Sequence, residues 1–267
     1  MDYQFVKVDI ADNIGIVAMN RIDALNALNV EIAKDITESV RALGSREDVR
    51  VIILKSNARI FCAGLDLKAF AGPKPSNPIR STLNFPIDDP YLLDCCMVLE
   101  QCRKPLIGAV NGKCIGGGLD IACACDIRLC TEDAEFSLRE AGIGLVADMG
   151  VLQRLPLIVG QGFAREMAFT ARYYKAREVE KMGLVNGVYP DQAAMMEAAM
   201  KLAAEIAANA PLAVEGSKET LNYSRNKSIW DGMMLAMHMN MILMGSEDMK
   251  ESAKAFMEKR KPQFKGR

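Results

Sequence analysis

The stretch Lys113-Cys114-Ile115-Gly116-Gly117-Gly118-Leu119-Asp120-Ile121-Ala122 places three consecutive glycines directly before an apolar helix that opens with a carboxylate. Glycine lets the backbone approach a ligand closely because no side chain intervenes. The first N–H groups of the following helix have no partner within the helix, and the helix dipole is positive at that end. The stretch therefore indicates a place that stabilises an oxygen atom gaining negative charge.

Three acidic residues lie within or shortly after this stretch. Asp120 belongs to it, and Glu140 and Asp148 follow in a segment that otherwise has the composition of a packed core. A binding place for negative charge beside three carboxyl groups indicates proton transfer next to a carbonyl group. Structural interpretations stay open: the glycines as tight turns, Asp120 as a helix-start acid, Glu140 as a surface acid at a strand end, and Asp148 as the cap of a helix beginning near Met149.

The overall composition argues against several functional classes. The 267 residues include 33 Lys and Arg against 34 Asp and Glu, which leaves a net charge of −1 and gives no support for a nucleic-acid or membrane-surface partner. No run of about 18 apolar residues predicts a membrane span. The N-terminal residues have no basic leader followed by an apolar stretch, so cytosol is the default expectation, with mitochondria and peroxisomes as alternatives.

The cysteines and the single histidine narrow the chemistry further. The eight cysteines include no Cys-x-x-Cys pair, and Cys123 and Cys125 alternate with alanines, which predicts reduced structural thiols and neither metal nor redox cofactor. The only histidine, His238, lies in a methionine-rich helix and is interpreted as structural, in a buried or subunit-facing position. Acid–base chemistry is therefore assigned to carboxylates.

Strands and helices alternate through the first part of the chain, and helices alone follow. The pattern predicts an α/β core at 1–195 and a helical region at 196–267, with a break at Asn209-Ala210-Pro211. The predicted strands are Val6–Ile10, Ile14–Met19, Val49–Lys55, Pro105–Asn111, Asp126–Cys130 and Glu135–Ser137. The predicted helices are Asn29–Leu43, Tyr91–Gln101, Met149–Val159, Gly162–Thr170, Ala176–Met182, Ala193–Ala208, Pro211–Ser224, Ser228–Met244 and Glu247–Lys259, and a surface loop is predicted at Pro73–Pro90.

Five motifs in order resemble the crotonase (enoyl-CoA hydratase/isomerase) family. They are Ala24-Leu25-Asn26-Ala27-Leu28-Asn29, Phe61-Cys62-Ala63-Gly64-Leu65-Asp66-Leu67, Lys104-Pro105-Leu106-Ile107-Gly108-Ala109-Val110-Asn111-Gly112, the glycine run through Asp126, and Ala255-Phe256-Met257-Glu258-Lys259-Arg260. The resemblance implies a crotonase-like spiral of repeated ββα/βαβ units with an α-helical C-terminal trimerisation region. It also implies an acyl-CoA thioester as substrate and a homotrimer or homohexamer built as a dimer of trimers.

The resemblance also assigns roles to individual residues. It implies that the N–H groups of Leu65 and Gly117 bind the oxygen of a thioester enolate. It places coenzyme A, which is part of the substrate and no separate cofactor, mainly against one set of backbone and apolar groups. These belong to Ala24, Leu25, Ala27, Ala63, Asp66 and Leu67. Lys259, in the strongly basic C-terminus, is expected to bind a phosphate of coenzyme A. The lysine comes from the same chain or from an adjacent subunit.

The three acids indicate which members of the family the chain resembles. Hydratases of the family carry Glu at the positions of Asp120 and Glu140 and a small residue at the position of Asp148. The arrangement here is similar to the delta-3,5-delta-2,4-dienoyl-CoA isomerases of fatty-acid β-oxidation. That similarity implies that Glu140 takes the proton from carbon 2, Asp148 delivers one at carbon 6, and Asp120 tunes the site.

Two other functions stay open on the sequence alone. A hydratase or single-bond enoyl-CoA isomerase would use Glu140 with Asp120 or with Asp148. A non-catalytic crotonase-fold binding or scaffold protein, with RNA as a partner, is the alternative from another class. The near-zero net charge and the intact acids and glycine run argue against it.

Overall fold

A sheet of six strands forms the frame of the protein in a computed structural model that describes residues 2–68 and 91–267. In chain order the strands are β1 (Val6–Ala11), β2 (Ile14–Met19), β3 (Val51–Ser56), β4 (Leu106–Val110), β5 (Lys113–Ile115), β6 (Ile127–Thr131), β7 (Glu135–Ser137), β8 (Tyr174–Lys175) and β9 (Gly187–Tyr189). The main sheet has the order β1-β2-β3-β4-β6-β9 and is parallel except for the β1–β2 pair. A smaller sheet, β5-β7-β8, lies beside it and leads into the glycine run.

Helices cover this frame and continue beyond it. In chain order they are α1 (Val30–Gly44), α2 (Tyr91–Gln101), α3 (Gly117–Ala124), α4 (Val151–Thr170), α5 (Ala176–Lys181), α6 (Gln192–Ala207), α7 (Pro211–Ser224), α8 (Ile229–Leu243) and α9 (Glu247–Glu258). Short 3-10 turns occur at Ile22–Ala24 and Glu140–Ile143. The mixed α/β class predicted from the alternating pattern is confirmed.

Local sequence signals explain the first elements. Asp12 and Asn13 adopt φ angles of 52° and 65°, and two left-handed residues are what a two-residue turn needs to match the twist of a hairpin. The Asn29 side chain accepts the N–H of Ile32 at 3.1 Å, which caps α1 as the sequence predicts. The predicted hairpin with its Asp12-Asn13 turn and the predicted first helix with its Asn29 cap are therefore confirmed.

The two faces of the main sheet are covered by different kinds of helix. On one side α1 buries Ile32, Ile36 and Val40, which recur every fourth residue and so share one face. On the other side α6 presents the small residues Ala199 and Ala203 to the sheet, together with the rest of a second buried cluster. Small side chains let a helix lie close to a sheet, which places α6 in the core layer.

Several elements can be compared with the sequence-based expectation. The two helices predicted at 149–159 and 162–170 are confirmed, because α4 consists of two helical parts separated at Gly160, where φ is 79° and the backbone is non-helical. The strands β5, β8 and β9 were not predicted because two or three residues carry too little pattern. The predicted domain boundary at 195/196 falls inside α6 and stays a prediction. The predicted break at Asn209-Ala210-Pro211 is confirmed, because α6 ends at Ala207 and α7 begins at Pro211. The predicted loop at Pro73–Pro90 lies outside the described residues.

The helices α8 and α9 expose an unusual amount of apolar surface. Trp230 is 67% exposed, Met241 68% and Phe256 86%. His238 lies on α8 and is exposed in this single chain. Among the residues that the structure describes, no helix is long and apolar enough to span a membrane. The eight cysteines are free, and all except Cys102 are buried.

Candidate active site

A cavity of about 460 Å³ opens between the start of α3 and the segment that joins β7 to α4. The three predicted acids, Asp120, Glu140 and Asp148, all line it, and so do the predicted oxyanion residues Leu65 and Gly117. Apolar side chains complete the wall. These belong to Leu67, Leu92, Leu93, Ile115, Ile143, Leu145, Val146 and Met149, with Ala63, Gly64, Gly116 and Arg139 as the remaining lining residues.

Parallel pairing brings the two oxyanion residues together. Cys62 donates its N–H to the carbonyl of Lys113 and accepts the N–H of Ile115, both at 3.1 Å, so the two chain segments run side by side in the same direction. Leu65 and Gly117 each lie three residues beyond the paired Cys62 and Cys114, and they therefore leave the pairing next to each other.

The opposite edge of the Gly64–Asp66 segment fixes which way its N–H groups point. Leu28 donates its N–H to Gly64 at 2.7 Å and accepts the N–H of Asp66 at 2.8 Å. Because alternate residues of an extended chain face opposite edges, the N–H of Leu65 points away from Leu28. Neither that N–H nor the one of Gly117 donates to an acceptor in the part of the chain that the structure describes. Both groups are free to bind a ligand oxygen, and the oxyanion role stays a prediction.

The glycines at this edge are required by the space around them. Gly64 has a φ of 91°, and a Cβ there would lie 3.0 Å from the carbonyl oxygen of Ile115. Gly116 has φ 50° and ψ −120°, and a Cβ there would lie 2.8 Å from Oε1 of Glu140. The interpretation of the run as turns beside packed strands is correct for its conformation. The same glycines also bring the backbone against a carboxylate.

Asp120 is the buried acid of the cavity, with 1% of its surface exposed. Its Oδ1 accepts the backbone N–H of Val151 at 2.7 Å. An acid in the first turn of α3 therefore binds the first N–H group of α4. Burial raises the pKa of Asp120 to about 7, against the lowering effect of the Val151 N–H, while Glu140 adds to the rise and Arg154 opposes it. Near neutral pH this carboxyl group is therefore about half protonated.

Glu140 begins the 3-10 turn that follows β7. Its Oε2 is buried and has no hydrogen-bond partner among the described residues. Burial raises the pKa of Glu140, and the charge of Asp148 contributes in the same direction, although the backbone N–H groups of Glu140 and Arg139 oppose the rise. An unpartnered carboxylate oxygen beside Gly116 is suited to take a proton from a bound substrate. The interpretation of Glu140 as a surface acid is wrong for that oxygen.

Two side-chain contacts hold the strand end that carries Glu140. Ser137 Oγ and Arg139 Nη1 both donate to the carbonyl oxygen of Ala171, at 3.1 Å and 2.9 Å. The carbonyl of Ser137 in turn accepts the N–H of Gly116 at 2.9 Å. Glu140 is therefore positioned from two sides, by the end of α4 and by the glycine run.

Asp148 lies on an open part of the cavity. It is exposed, and so are Leu145 and Val146 before it, with Val146 at 77%. The expectation of a packed core around Asp148 is wrong for this segment in the single chain. The capping hypothesis for Asp148 is also wrong, because α4 begins after Gly150 without a side-chain cap and Asp120 binds its first N–H.

The residues expected to contact coenzyme A lie on two loops that meet. Ala24 and Leu25 end the first 3-10 turn, Leu25 accepts the N–H of Ala63 at 3.1 Å, and Ala27 accepts Nη1 of Arg21 at 2.7 Å. Asp66 forms an ion pair with Arg21 at 2.7 Å. Leu67, which is 55% exposed, lines the cavity. The two loops therefore form one surface at the mouth of the site.

Asn26 is fully buried, donates to Ser56 Oγ at 2.8 Å and to the carbonyl of Phe61 at 3.0 Å, and accepts the N–H of Arg21 at 2.9 Å. The sequence analysis assigned no role to Asn26, which adopts a left-handed φ of 54°. Lys259 is exposed at the end of α9 and does not line the described cavity, so its phosphate contact stays a prediction.

Comparison with known proteins agrees with this geometry. The family model described as enoyl-CoA hydratase/isomerase matches residues 9–267. The chain belongs to this family. A solved enoyl-CoA hydratase from Bacillus anthracis superimposes on it with a TM-score of 0.90 at 30% identity, covering 99% of this chain and 100% of the other. The crotonase-like fold predicted from the motifs is therefore confirmed, and the protein is an enzyme of the enoyl-CoA hydratase/isomerase family.

Relatives within the enoyl-CoA hydratase/isomerase family carry more than one activity in their names. A peroxisomal Delta(3,5)-Delta(2,4)-dienoyl-CoA isomerase of Arabidopsis thaliana is 38% identical, over 92% of this chain and 90% of its own length. A mitochondrial enzyme of the same name from Mus musculus is 37% identical, over 91% of this chain and 76% of its own length. An (E)-benzylidenesuccinyl-CoA hydratase of Thauera aromatica is 32% identical, over 98% of this chain and 99% of its own length.

Proposed function

We propose that the protein isomerises 3,5-dienoyl-CoA to 2,4-dienoyl-CoA in fatty-acid β-oxidation. The observation that carries the proposal is the meeting, at one cavity, of three carboxyl groups and two backbone N–H groups that have no acceptor among the described residues. The similarity to enzymes named as dienoyl-CoA isomerases supports it. For location, cytosol remains the default prediction, with mitochondria and peroxisomes, where those relatives are named, as the alternatives.

The reaction moves two conjugated double bonds one position toward the thioester. A base takes a proton from carbon 2, and the resulting negative charge spreads over the thioester oxygen and carbons 2, 4 and 6. An acid then gives a proton to carbon 6, which leaves double bonds at carbons 2 and 4. The N–H groups of Leu65 and Gly117 stabilise the oxygen while it is charged, and each such donor contributes about 3 kcal/mol.

Two of the three carboxyl groups divide the proton transfers, because carbons 2 and 6 are too far apart for one short side chain to serve both. Glu140 takes the proton from carbon 2 with its Oε2, which has no partner in the described part of the chain and lies beside the glycine run. Asp148 delivers the proton to carbon 6 from the outer end of the cavity. Asp120, about half protonated near neutral pH, limits the repulsion among the three groups and binds the turn that carries Asp148. Acid–base steps of this kind contribute about 10²- to 10⁴-fold to rate.

Coenzyme A enters as part of the substrate. The backbone of Ala24, Leu25, Ala27 and Ala63, with Asp66 and Leu67, provides the surface on which it would lie. Lys259 would meet a phosphate, in the same chain or from a neighbouring subunit. We expect no separate cofactor or metal for the reaction, because every step moves only protons.

We further propose that the chain forms a homotrimer or a homohexamer through its C-terminal helices. The exposed side chains of Trp230, Met241, Ile242 and Phe256 support this, because soluble proteins rarely leave so many large apolar groups in water. Light scattering coupled to gel filtration would test it, with Trp230→Ser as the disrupting variant. A wild-type monomer at micromolar concentration would contradict the proposal.

The first experiment is a direct assay of the purified protein with a 3,5-dienoyl-CoA. The absorbance of the conjugated 2,4-dienoyl product is followed while a 2-enoyl-CoA is assayed in parallel. Conversion of the diene with little hydration of the enoyl ester is the expected result. Hydration without conversion of the diene would overturn the proposal.

A hydratase is the second candidate function. Asp120 and Glu140 line the same cavity, and two carboxyl groups that reach one point can activate a water molecule. The benzylidenesuccinyl-CoA hydratase among the relatives supports this reading. The parallel assay separates the two functions, because a hydratase consumes the 2-enoyl-CoA and leaves the diene in place.

A further inference from the structure

The short turn that joins Asp148 to α4 is linked to two of the three acids of the cavity, Asp148 and Asp120. Asp148 lies at its beginning, and Val151, whose N–H binds Asp120 Oδ1 at 2.7 Å, lies at its end. Between them Gly150 adopts a φ of 105°. Any shift of this turn would therefore move Asp148 and disturb Asp120 together.

One buried side chain reaches back to this turn from the first turn of α4. Arg154 is 6% exposed, and its Nη1 donates to the carbonyl oxygen of Met149 at 3.1 Å. The guanidinium lies so close to the turn that a Cβ at Gly150 would overlap Nη1. Gly150 is thus required both by its own conformation and by the approach of the arginine.

A carboxylate on another helix holds the other side of the guanidinium. Nε and Nη2 of Arg154 donate to Oε2 of Glu100, at 2.9 Å and 2.5 Å. Glu100 belongs to α2, which packs against α1 and α3, the helix that carries Asp120. The planar guanidinium therefore connects the turn of Asp148 to the layer that holds the buried acid.

A second arginine on the same carboxylate offers a comparison. Arg225 donates to Oε1 of Glu100 from the end of α7. It is more exposed than Arg154 and makes no hydrogen bond to the turn within the described residues. The two arginines share one partner, and only Arg154 also binds the backbone next to Asp148.

We propose that Arg154, anchored by Glu100, is a positioning residue that holds the turn of residues 148–150 so that Asp148 reaches the distal carbon of the substrate. The inference rests on the proposed diene isomerisation. Arg154 lies outside the set of residues that touch the reacting atoms, so it acts through the placement of Asp148.

The two proton transfers give this role a specific signature. Glu140 lies before the turn, and the preceding residues Ser137 and Arg139 are bound to Gly116 and Ala171, so loss of Arg154 leaves removal of the carbon 2 proton in place. Delivery of the proton at carbon 6 depends on Asp148 and slows. A displacement of about 1 Å can lower such a step by about 10²-fold. Exchange at carbon 2 should therefore continue while turnover falls.

The test compares Arg154→Lys with Arg225→Lys in the full-length protein. Deuterium exchange at carbon 2 in deuterated water and conversion of 3,5-dienoyl-CoA are measured on the same samples. In Arg154→Lys, which keeps the charge and loses the fork geometry, we expect the ratio of exchange to conversion to rise at least about 10-fold. In Arg225→Lys the ratio should stay at the wild-type value. Glu100→Gln should raise it in the same direction as Arg154→Lys, which provides a second route if that variant folds poorly.

The possible outcomes are distinct. Equal losses of exchange and conversion in Arg154→Lys and Glu100→Gln, or equal ratios in the two lysine variants, would overturn the positioning role while leaving the isomerase proposal intact. A wild-type protein that does not convert the diene would overturn the proposed function, and with it this inference.

Discussion

The cavity has two sides that are built in different ways. The glycine side, residues 62–65 and 114–120, consists of paired backbone segments, and Asp120 within it is 1% exposed. The acidic side, residues 140–150, has little regular structure, and Val146 within it is 77% exposed. The glycine side therefore owes its geometry to hydrogen-bonded backbone, whereas the acidic side depends on a few side-chain contacts from other elements.

The difference indicates which catalytic groups the protein holds rigidly and which it does not. Donors for an oxyanion must be in place before charge develops, and a backbone held on both edges provides that. The carboxylates must accept and release protons, and the segment that carries Glu140 and Asp148 is held by side-chain bonds of Arg139 to Ala171 and of Arg154 to Met149. Substitutions on the glycine side should therefore damage the whole site, while those on the acidic side should separate one proton transfer from the other.

The largest effect is expected for Gly116→Ala. The φ of 50° with ψ of −120° strains any side chain, by about 1 to 3 kcal/mol, and the added Cβ would lie 2.8 Å from Oε1 of Glu140. Both the Gly117 donor and Glu140 would move, so we expect the rate of diene conversion to fall by at least about 10³-fold. Steady-state assay and thermal unfolding measure the two consequences.

Gly162→Ala is the matched control for Gly116→Ala. Gly162 lies in α4, and a Cβ there meets no atom within 4 Å. We expect unchanged activity and a stability gain of about 0.5 to 1 kcal/mol. Equal activity of the two alanine variants would contradict the rigidity assigned to the glycine side.

Glu140→Gln should have the next largest effect. The amide keeps the size of the side chain and loses the base, so we expect exchange of the carbon 2 proton with deuterated water to fall by about 10²- to 10⁴-fold. Mass spectrometry of the recovered thioester measures it. Glu135→Gln, on the preceding strand and paired with Lys113 outside the cavity, is the control. Continued exchange in Glu140→Gln would show that another group is the base.

Asp148→Asn should separate the two proton transfers. Because Asp148 is exposed at the outer end of the cavity, its loss should leave acyl-CoA affinity within about 3-fold while diene conversion falls by about 10²-fold or more. Titration calorimetry with a product thioester and the absorbance assay measure the two quantities. Asp133→Asn, on an exposed turn, is the control. Full activity of Asp148→Asn would rule out its role as proton donor.

Of the four substitutions in the cavity, Asp120→Asn should lower the rate of diene conversion least and change the pH dependence of the free energy of unfolding most. The folded protein raises the pKa of this group from 3.8 to about 7, so the folded state holds a proton that the unfolded state has lost across that window. The contribution of Asp120 to stability therefore falls as pH rises from about 4 to 7, by at most about 4 kcal/mol. The asparagine variant lacks this fall, and it keeps an oxygen for the Val151 N–H.

Urea unfolding at pH 5 and pH 8 tests this. We expect the free energy of unfolding of Asp120→Asn, relative to wild type, to increase between the two pH values. Activity should decrease by less than about 10-fold, because Asp120 supports the site without transferring a proton. An unchanged difference between pH 5 and pH 8 would show that the Asp120 carboxyl group is not protonated in the folded protein.

Much of the fold could be predicted because its signals are local. The Asp12-Asn13 turn, the Asn29 cap and the apolar spacing of α1 each act within a few residues, and α2 and α7 have the predicted bounds. The two-residue β8 has no such signal, since its pairing with β7 supplies the stabilisation. The break at Gly160 between the two predicted helical parts of α4 did have a local signal, because glycine adopts a φ of 79° without strain.

The candidate site was predictable in its members and less so in their environments. The sequence indicated Asp120, Glu140 and Asp148 as a group, and they do share one cavity. It indicated a packed segment around Asp148 and left a helix cap open as an alternative role, whereas the structure has Asp148 exposed while Asp120 binds the start of α4. Residue type and spacing show which groups can act, whereas burial depends on which distant segments cover them.

By itself, the sequence determined the α/β order, the glycine turn beside a helix start and the identity of the three acids, because backbone conformation and side-chain chemistry are properties of a residue and its immediate neighbours. Only the tertiary structure decided that Asp120 is buried with a pKa near 7, that Glu140 keeps an unpartnered oxygen, and that Arg154 joins the Asp148 turn to Glu100. Each of these depends on contacts between segments far apart in the chain. Desolvation and ion pairing arise from the groups that fold around a residue, and no local pattern specifies them.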